Sequence, residues 1–134
     1  MVSTELPVQP AGKTQMEKAS LRITAAFLVL LEQQFPIESQ HPVQLRSASQ
    51  FANRLDIHVN HLNRMLKETL NKTTTQVISE RILQEAKALL RDHNMSVADI
   101  AYVLGFTEAT HFNSFFRKYT KVTPTEFRST IRPL

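Results

Sequence analysis

The chain has 134 residues, a formal net charge of +4 and an apolar fraction of 42%, which suits one small domain. It contains no cysteine, so disulfide frameworks, thiol nucleophiles and cysteine-ligated zinc are excluded. The longest apolar stretch, AAFLVLL at 25–31, is far shorter than the ~20 residues of a membrane-spanning helix and lies too deep in the chain for a signal peptide. We therefore expect a cytoplasmic protein with no membrane segment.

The N-terminal part predicts a flexible leader and then one long helix. The leader, residues 1–15, contains Pro7, Pro10 and Gly12. A helix is expected at about 17–35, and the break at Phe35-Pro36 separates it from the next helices. Its apolar residues are Leu21, Ala25, Ala26, Phe27, Leu28, Val29, Leu31 and Phe35. We expect this stripe to face the core, and a surface that meets another domain is the alternative.

Capping boxes mark the starts of four later helices. Each pairs a Ser or Thr with a Gln, Asp or Glu three residues on, at Ser47–Gln50, Thr73–Gln76, Ser96–Asp99 and Thr123–Glu126. Pro124 then takes the favoured first helical position. Helices are expected at about 47–55, 59–70, 74–92, 96–104, 108–120 and 124–131. Alternation with a period of two is absent, so the predicted fold is all-α with seven helices.

The sequence contains a repeat after residue 50. Residues 51–73 resemble residues 100–123: FANRLDI lies over IAYVLGF, and HLNRMLKETLNKT lies over HFNSFFRKYTKVT. Each copy reads as a short helix, a tight turn and a second helix, which is a helix-turn-helix. Gly105 would take the left-handed conformation at the turn, and Asp56 is among the few other residue types that tolerate it. We expect one domain at 16–134, with a first module at about 17–72, a linker helix at about 74–92 and a second module at about 96–132.

The second helix of each copy carries an outer face suited to DNA. Those faces hold Asn, Thr, Ser and Arg rather than the Glu and Lys pairs of an ordinary solvated helix. Asn pairs with adenine and Arg with guanine in the major groove. The segment 111–134 also carries five basic residues against one acid, a local basic patch of the kind that binds phosphate. Candidate phosphate contacts are Ser47, Lys67, Lys72, Thr73, Thr74, Arg117, Lys118 and Lys121.

The linker helix relates the two modules to the DNA period. At 1.5 Å per residue it spans roughly 28 Å. One turn of DNA is about 34–36 Å, a separation that the second helices reach once the width of the modules is added. The predicted target is a bipartite site whose elements lie about 10 bp apart.

The same segments resemble a known family, the AraC/XylS-type transcription regulators. VADIAYVLGFTEATHFNSFFRKYTKVTPTEFR resembles its C-terminal signature, RILQEAKALL its linker helix and HVNHLNRMLKE its first recognition helix. The resemblance covers about residues 17–132. It implies a seven-helix domain with two helix-turn-helix modules that binds double-stranded promoter DNA to activate or repress transcription in a bacterial cell.

The resemblance also implies particular residues and partners. Base-reading roles fall by position on Val59, Asn60, Asn63, Arg64, Ala109, Thr110, Asn113 and Ser114. RNA polymerase is an implied partner, and most members carry a sensory or dimerisation domain before this one. Only a short leader precedes it here, so the chain is either a stand-alone member or the C-terminal piece of a longer protein. The family usually has glycine where Asn71 and Lys121 stand.

Two other classes of function were weighed. An enzyme or metal site would have to use histidines such as His58 and His61, but no carboxylate or third histidine accompanies them at ligand spacing, and no glycine-rich phosphate loop is present. We therefore expect no enzymatic activity, no cofactor and no metal. The alternative to DNA binding is a helical protein–protein interaction module that kept this fold, which the basic outer faces argue against.

Overall fold

The structure, a computed structural model, describes residues 15–36 and 42–131. Within those ranges the chain forms seven α-helices, as predicted, and no strand. They are α1 Gln15–Glu32, α2 Ala48–Arg54, α3 Val59–Leu70, α4 Thr74–Leu90, α5 Val97–Val103, α6 Ala109–Thr120 and α7 Pro124–Ser129. The predicted leader falls largely outside the described residues, and its last residue, Gln15, already belongs to α1. Helices α1, α4 and α7 end two or three residues earlier than expected.

Local capping explains where most helices begin. All four predicted capping boxes are present, with backbone N–H groups donating to Ser47, Thr73, Ser96 and Thr123 at 3.0–3.1 Å. Helix α3 starts differently, because His58 Nδ1 accepts the backbone N–H of Asn60 at 3.0 Å. Each cap satisfies a donor that the first turn would otherwise leave without a partner.

The two helix-turn-helix corners have the same backbone hydrogen bonds. Ile57 N–H donates to the Ala52 carbonyl and Phe106 N–H to the Ala101 carbonyl, both at 3.0 Å. These bonds close a Schellman turn around a left-handed residue, which is Asp56 with φ 60° in the first copy and Gly105 with φ 92° in the second. The repeat in the sequence is therefore a repeat in the backbone.

Helix α4 lies at the centre of one continuous core. Its buried apolar residues Ile78, Ile82, Ala86 and Leu90 recur at helical spacing. They belong to a cluster that also contains Phe51 and Leu66 of the first module and Phe112 and Phe116 of the second. Both modules thus pack on the same helix. The predicted linker helix is therefore also a core element that the two modules share.

The buried face of α1 differs from the predicted stripe. Phe27 and Leu31 are buried as expected, but Leu21 is 51% exposed and Val29 is 59% exposed, and Ala25 and Ala26 are exposed as well. Ser20 and Thr24 are buried instead. Thr24 Oγ1 lies 2.7 Å from Thr69 Oγ1 of α3, so small hydroxyl residues fill the place where α1 crosses α3. An apolar pattern could not reveal that face.

The segment between α1 and α2 ties the two modules together. Val43 N–H donates to the Val103 carbonyl at 2.8 Å, and Arg46 Nη1 donates to the Gly105 carbonyl at 3.2 Å. The Arg46 guanidinium also lies 4.0 Å from the centre of the Phe106 ring, a cation–π contact. Its partial burial lowers the pKa of Arg46 from its usual value. The second corner is therefore held by residues that precede the first module's corner.

Candidate nucleic-acid interface

Helix α3 turns one face to the core and the opposite face to solvent. Leu62, Met65 and Leu66 are fully buried, which anchors the helix along the predicted positions. On the other side Asn60, Arg64 and Lys67 are exposed, and Val59, His61 and Asn63 are half-buried. The residues proposed to read bases in the first module therefore lie on the outer half of one helix.

Arg64 is held in place by a neighbour that the sequence had not singled out for the site. Its Nη2 donates to His61 Nδ1 at 2.9 Å, across the i, i+3 spacing that brings helical side chains together. The i, i+3 spacing of His61 and Arg64 was the signal available, since an imidazole nitrogen accepts a hydrogen bond from a guanidinium.

Asn63 already makes a hydrogen bond within the protein. Its Oδ1 accepts the backbone N–H of Thr74 at 3.1 Å, which joins α3 to the first turn of α4. Thr74 is fully buried, and its Oγ1 has no hydrogen-bond partner in the part of the chain described. From this position Thr74 offers a phosphate neither its hydroxyl nor its backbone N–H, contrary to its place among the predicted phosphate contacts.

Helix α6 repeats the arrangement with a more aromatic inner face. Phe112 and Phe116 are buried, while Phe115 is half-buried between Phe106 and Tyr119, with ring centres 5.4 and 5.2 Å away. Thr110 and Ser114 are exposed, and Ala109 and Asn113 are half-buried. The predicted base-reading residues of the second module thus also share the outer half of one helix.

A carboxylate stands at the beginning of α6. Glu108 occupies the N-cap position without capping the helix through its side chain; instead its Oε1 accepts from Thr110 Oγ1 at 3.3 Å. The sequence analysis did not include Glu108 in the site. Its position directly before Ala109 was the available signal, because it brings a negative charge next to the proposed base-reading face.

The predicted phosphate contacts lie mostly on the surface. Lys67, Lys72, Arg117, Lys118 and Lys121 are exposed. Lys72 Nζ is 2.7 Å from Glu80 Oε1, an exposed ion pair of the kind that contributes little stability. Lys121 has a left-handed backbone, with φ 72°, a conformation that favours glycine. The hydroxyls of Ser47 and Thr73 accept helix-capping bonds.

In the ranges 15–36 and 42–131 there is no group of three or more His, Asp and Glu side chains that could hold a metal ion. His58 uses Nδ1 as a helix cap and His61 uses Nδ1 to hold Arg64.

No helix in the described ranges, 15–36 and 42–131, is long and apolar enough to cross a membrane.

The chain is similar in sequence to known helix-turn-helix proteins. A family model described as a helix-turn-helix domain matches residues 51–130. The HTH-type transcriptional activator RhaR of Mannheimia succiniciproducens is 33% identical over 99 residues, which cover 74% of this chain and 36% of that protein. The xylose operon regulatory protein of Haemophilus influenzae is 31% identical over 97 residues, covering 69% of this chain and 25% of that protein. The chain therefore spans only a quarter to about a third of these relatives.

A solved structure has the same fold over nearly its whole length. It is a transcriptional regulator from Chromobacterium violaceum, described as containing an AraC-type DNA-binding domain. The two chains share 25% sequence identity with a TM-score of 0.63, over 84% of this chain and 95% of that one.

Proposed function

We propose that this chain, which belongs to the AraC-type helix-turn-helix family of DNA-binding transcription regulators, reads a bipartite promoter site with α3 and α6 in successive major grooves. The carrying observation is that two equivalent helices, each with a polar outer face, belong to two modules that both pack on one shared core helix, α4. RNA polymerase is the partner we propose alongside duplex DNA, since a regulator bound at a promoter acts on transcription through that enzyme. A sensory or dimerisation domain is a further proposed partner, because the relatives are longer.

The outer residues divide into two chemical roles. Asn60, Arg64, Thr110 and Ser114 are exposed hydrogen-bonding side chains on the recognition helices, suited to base edges. Lys67, Arg117 and Lys118 stand at or beyond the second turn of those helices, where they would neutralise phosphates. Base contacts supply the sequence preference, and the lysines supply affinity that falls as salt rises.

The separation of the two DNA elements follows from α4. That helix has 17 residues and therefore spans about 26 Å, to which the widths of the two modules add. A spacing of about 10 bp, one turn of DNA, then places both recognition helices on the same side of the duplex. The contacts of Val43 and Arg46 with the second corner would hold that spacing constant.

The direct test is selection of this chain on randomised duplex DNA at near-physiological salt, followed by sequencing. Two enriched elements about 10 bp apart are expected. Enrichment of one element alone would mean that only one module reads bases. No enrichment at any salt concentration would reject the proposal and favour a protein–protein interaction module with this fold.

A further inference from the structure

Two asparagines occupy the same place in the two copies of the repeat. Asn63 follows the buried Leu62 on α3, and Asn113 follows the buried Phe112 on α6. Each precedes by ten residues a threonine that caps the next helix, Thr73 or Thr123. Sequence position alone therefore gives both asparagines the same role in DNA binding.

The residue after each capping threonine differs between the copies. The first copy has Thr74, whose backbone N–H donates to Asn63 Oδ1 at 3.1 Å. The second copy has Pro124, which is also buried but carries no N–H. The chain enters both helices in nearly the same way, with φ −76° and ψ 159° at Thr73 and φ −79° and ψ 161° at Thr123. The main local difference between the two copies is thus the backbone N–H that Thr74 has and Pro124 lacks.

The two side chains differ accordingly. Asn113 Oδ1 is buried and has no hydrogen-bond partner among the described residues. A buried carbonyl oxygen without a donor is unfavourable, and it loses nothing when it moves to a place where a donor exists. If Asn63 turned outward, it would give up its bond and leave the N–H of Thr74 without a partner.

Recognition of adenine requires both ends of a carboxamide. The oxygen accepts from adenine N6 and the NH₂ group donates to N7, so both ends must face the base. An amide oxygen can accept two bonds, but Asn63 Oδ1 is directed at the N–H of the buried Thr74 and would have to leave that bond to face the groove. On the basis of the proposed DNA binding, we infer that Asn113 reads an adenine in the second DNA element, whereas Asn63 is a positioning residue that holds α3 against α4. The recognition helices are equivalent in backbone but differ in what they read.

The test compares wild type with Asn113→Ala, Pro124→Thr and Asn63→Ala by selection on randomised duplex DNA and by urea unfolding of the same preparations. Wild type is expected to require adenine at one position of the second element. Asn113→Ala should reduce that preference about ten- to a hundred-fold and leave the first element and the unfolding midpoint unchanged. Pro124→Thr supplies the missing N–H and should weaken the same preference, although Asn113 is still present. Asn63→Ala should lower the unfolding midpoint and leave every base preference in place.

Results that differ from these expectations distinguish a wrong assignment of roles from a failure of the proposed DNA binding. Loss of an adenine preference in Asn63→Ala, an unchanged second element in Asn113→Ala, or an unchanged second element in Pro124→Thr would overturn the assignment of roles while leaving DNA binding intact. A wild-type second element without adenine would do the same. If wild type enriched no sequence, the proposed DNA reading itself would fail, and this inference with it.

Discussion

The guanidinium of Arg46 donates to the carbonyl oxygen of Gly105, 59 residues further along the chain. Gly105 is the left-handed corner of the second helix-turn-helix, and the same guanidinium covers the ring of Phe106, which follows that corner. Residues before the first module's corner therefore hold the corner of the second. This contact relates the orientations of α3 and α6, and it is the reason to expect one fixed spacing in the DNA.

Arg46→Ala is expected to loosen the second helix-turn-helix corner relative to the first module. It removes a charged hydrogen bond and a cation–π contact, so the free energy of unfolding should fall by about 1–3 kcal/mol. Affinity for a duplex with both elements should fall more than affinity for duplexes with one element, as measured by equilibrium titration of each. Arg46→Lys is the control, because it keeps the charge without the planar guanidinium and should behave like Arg46→Ala. Equal losses on all duplexes would show that Arg46 does not relate the two modules, and wild-type behaviour of Arg46→Lys would show that its positive charge is sufficient.

Gly105→Ala should be strongly destabilising. A Cβ there would lie 2.7 Å from the backbone oxygen of Val43, at a φ of +92°, so the methyl group meets both a strained backbone and a rigid neighbour. We expect a loss of roughly 2–4 kcal/mol in the free energy of unfolding, measured by denaturant titration. Asp56→Ala at the first corner is the matched control: Asp56 is exposed, so its loss should be about 1 kcal/mol or less. Equal losses at the two corners would mean that the contact with Val43 is unimportant.

Lys121→Gly should stabilise the protein. Lys121 ends α6 with φ 72°, a conformation that strains a lysine and not a glycine. A gain of about 0.5–1 kcal/mol in the free energy of unfolding is expected after the extra chain entropy of glycine is subtracted. Asn71→Gly, at the equivalent end of α3 with φ 57°, should gain less because asparagine tolerates this region. A loss of stability in Lys121→Gly would show that the lysine side chain matters more than the backbone.

Arg64→Ala and Lys118→Ala should affect DNA binding in different ways. Arg64→Ala is expected to cost roughly 1–3 kcal/mol on the preferred sequence and to relax the preference at one or two base pairs. His61→Ala should produce part of this effect, since Arg64 loses the acceptor that holds it. Lys118→Ala should weaken all sequences alike and lower the slope of log K against log salt by about one. Titrations at several salt concentrations distinguish the two, and matching sequence-independent losses would contradict the division of roles.

Local sequence patterns were sufficient to predict most of the helices and corners of the fold. Thr73 and Thr123 predict helix starts because a capping box needs only residues three apart in the chain. Gly105 predicted a corner because its lack of a Cβ makes the left-handed region accessible. The repeat then predicted the same two-helix unit twice, and with it the two outer faces.

The tertiary structure decided what depends on residues distant in the chain. Ser20 and Thr24, rather than Leu21 and Val29, lie on the buried face of α1, because the crossing with α3 selects small hydroxyl residues that a hydrophobic pattern does not count. Asn63 and Asn113 are identical in the sequence pattern, yet only Asn63 meets a backbone N–H. Periodicity and capping act over a few residues, whereas helix crossings and side-chain partners arise only when separate segments pack together.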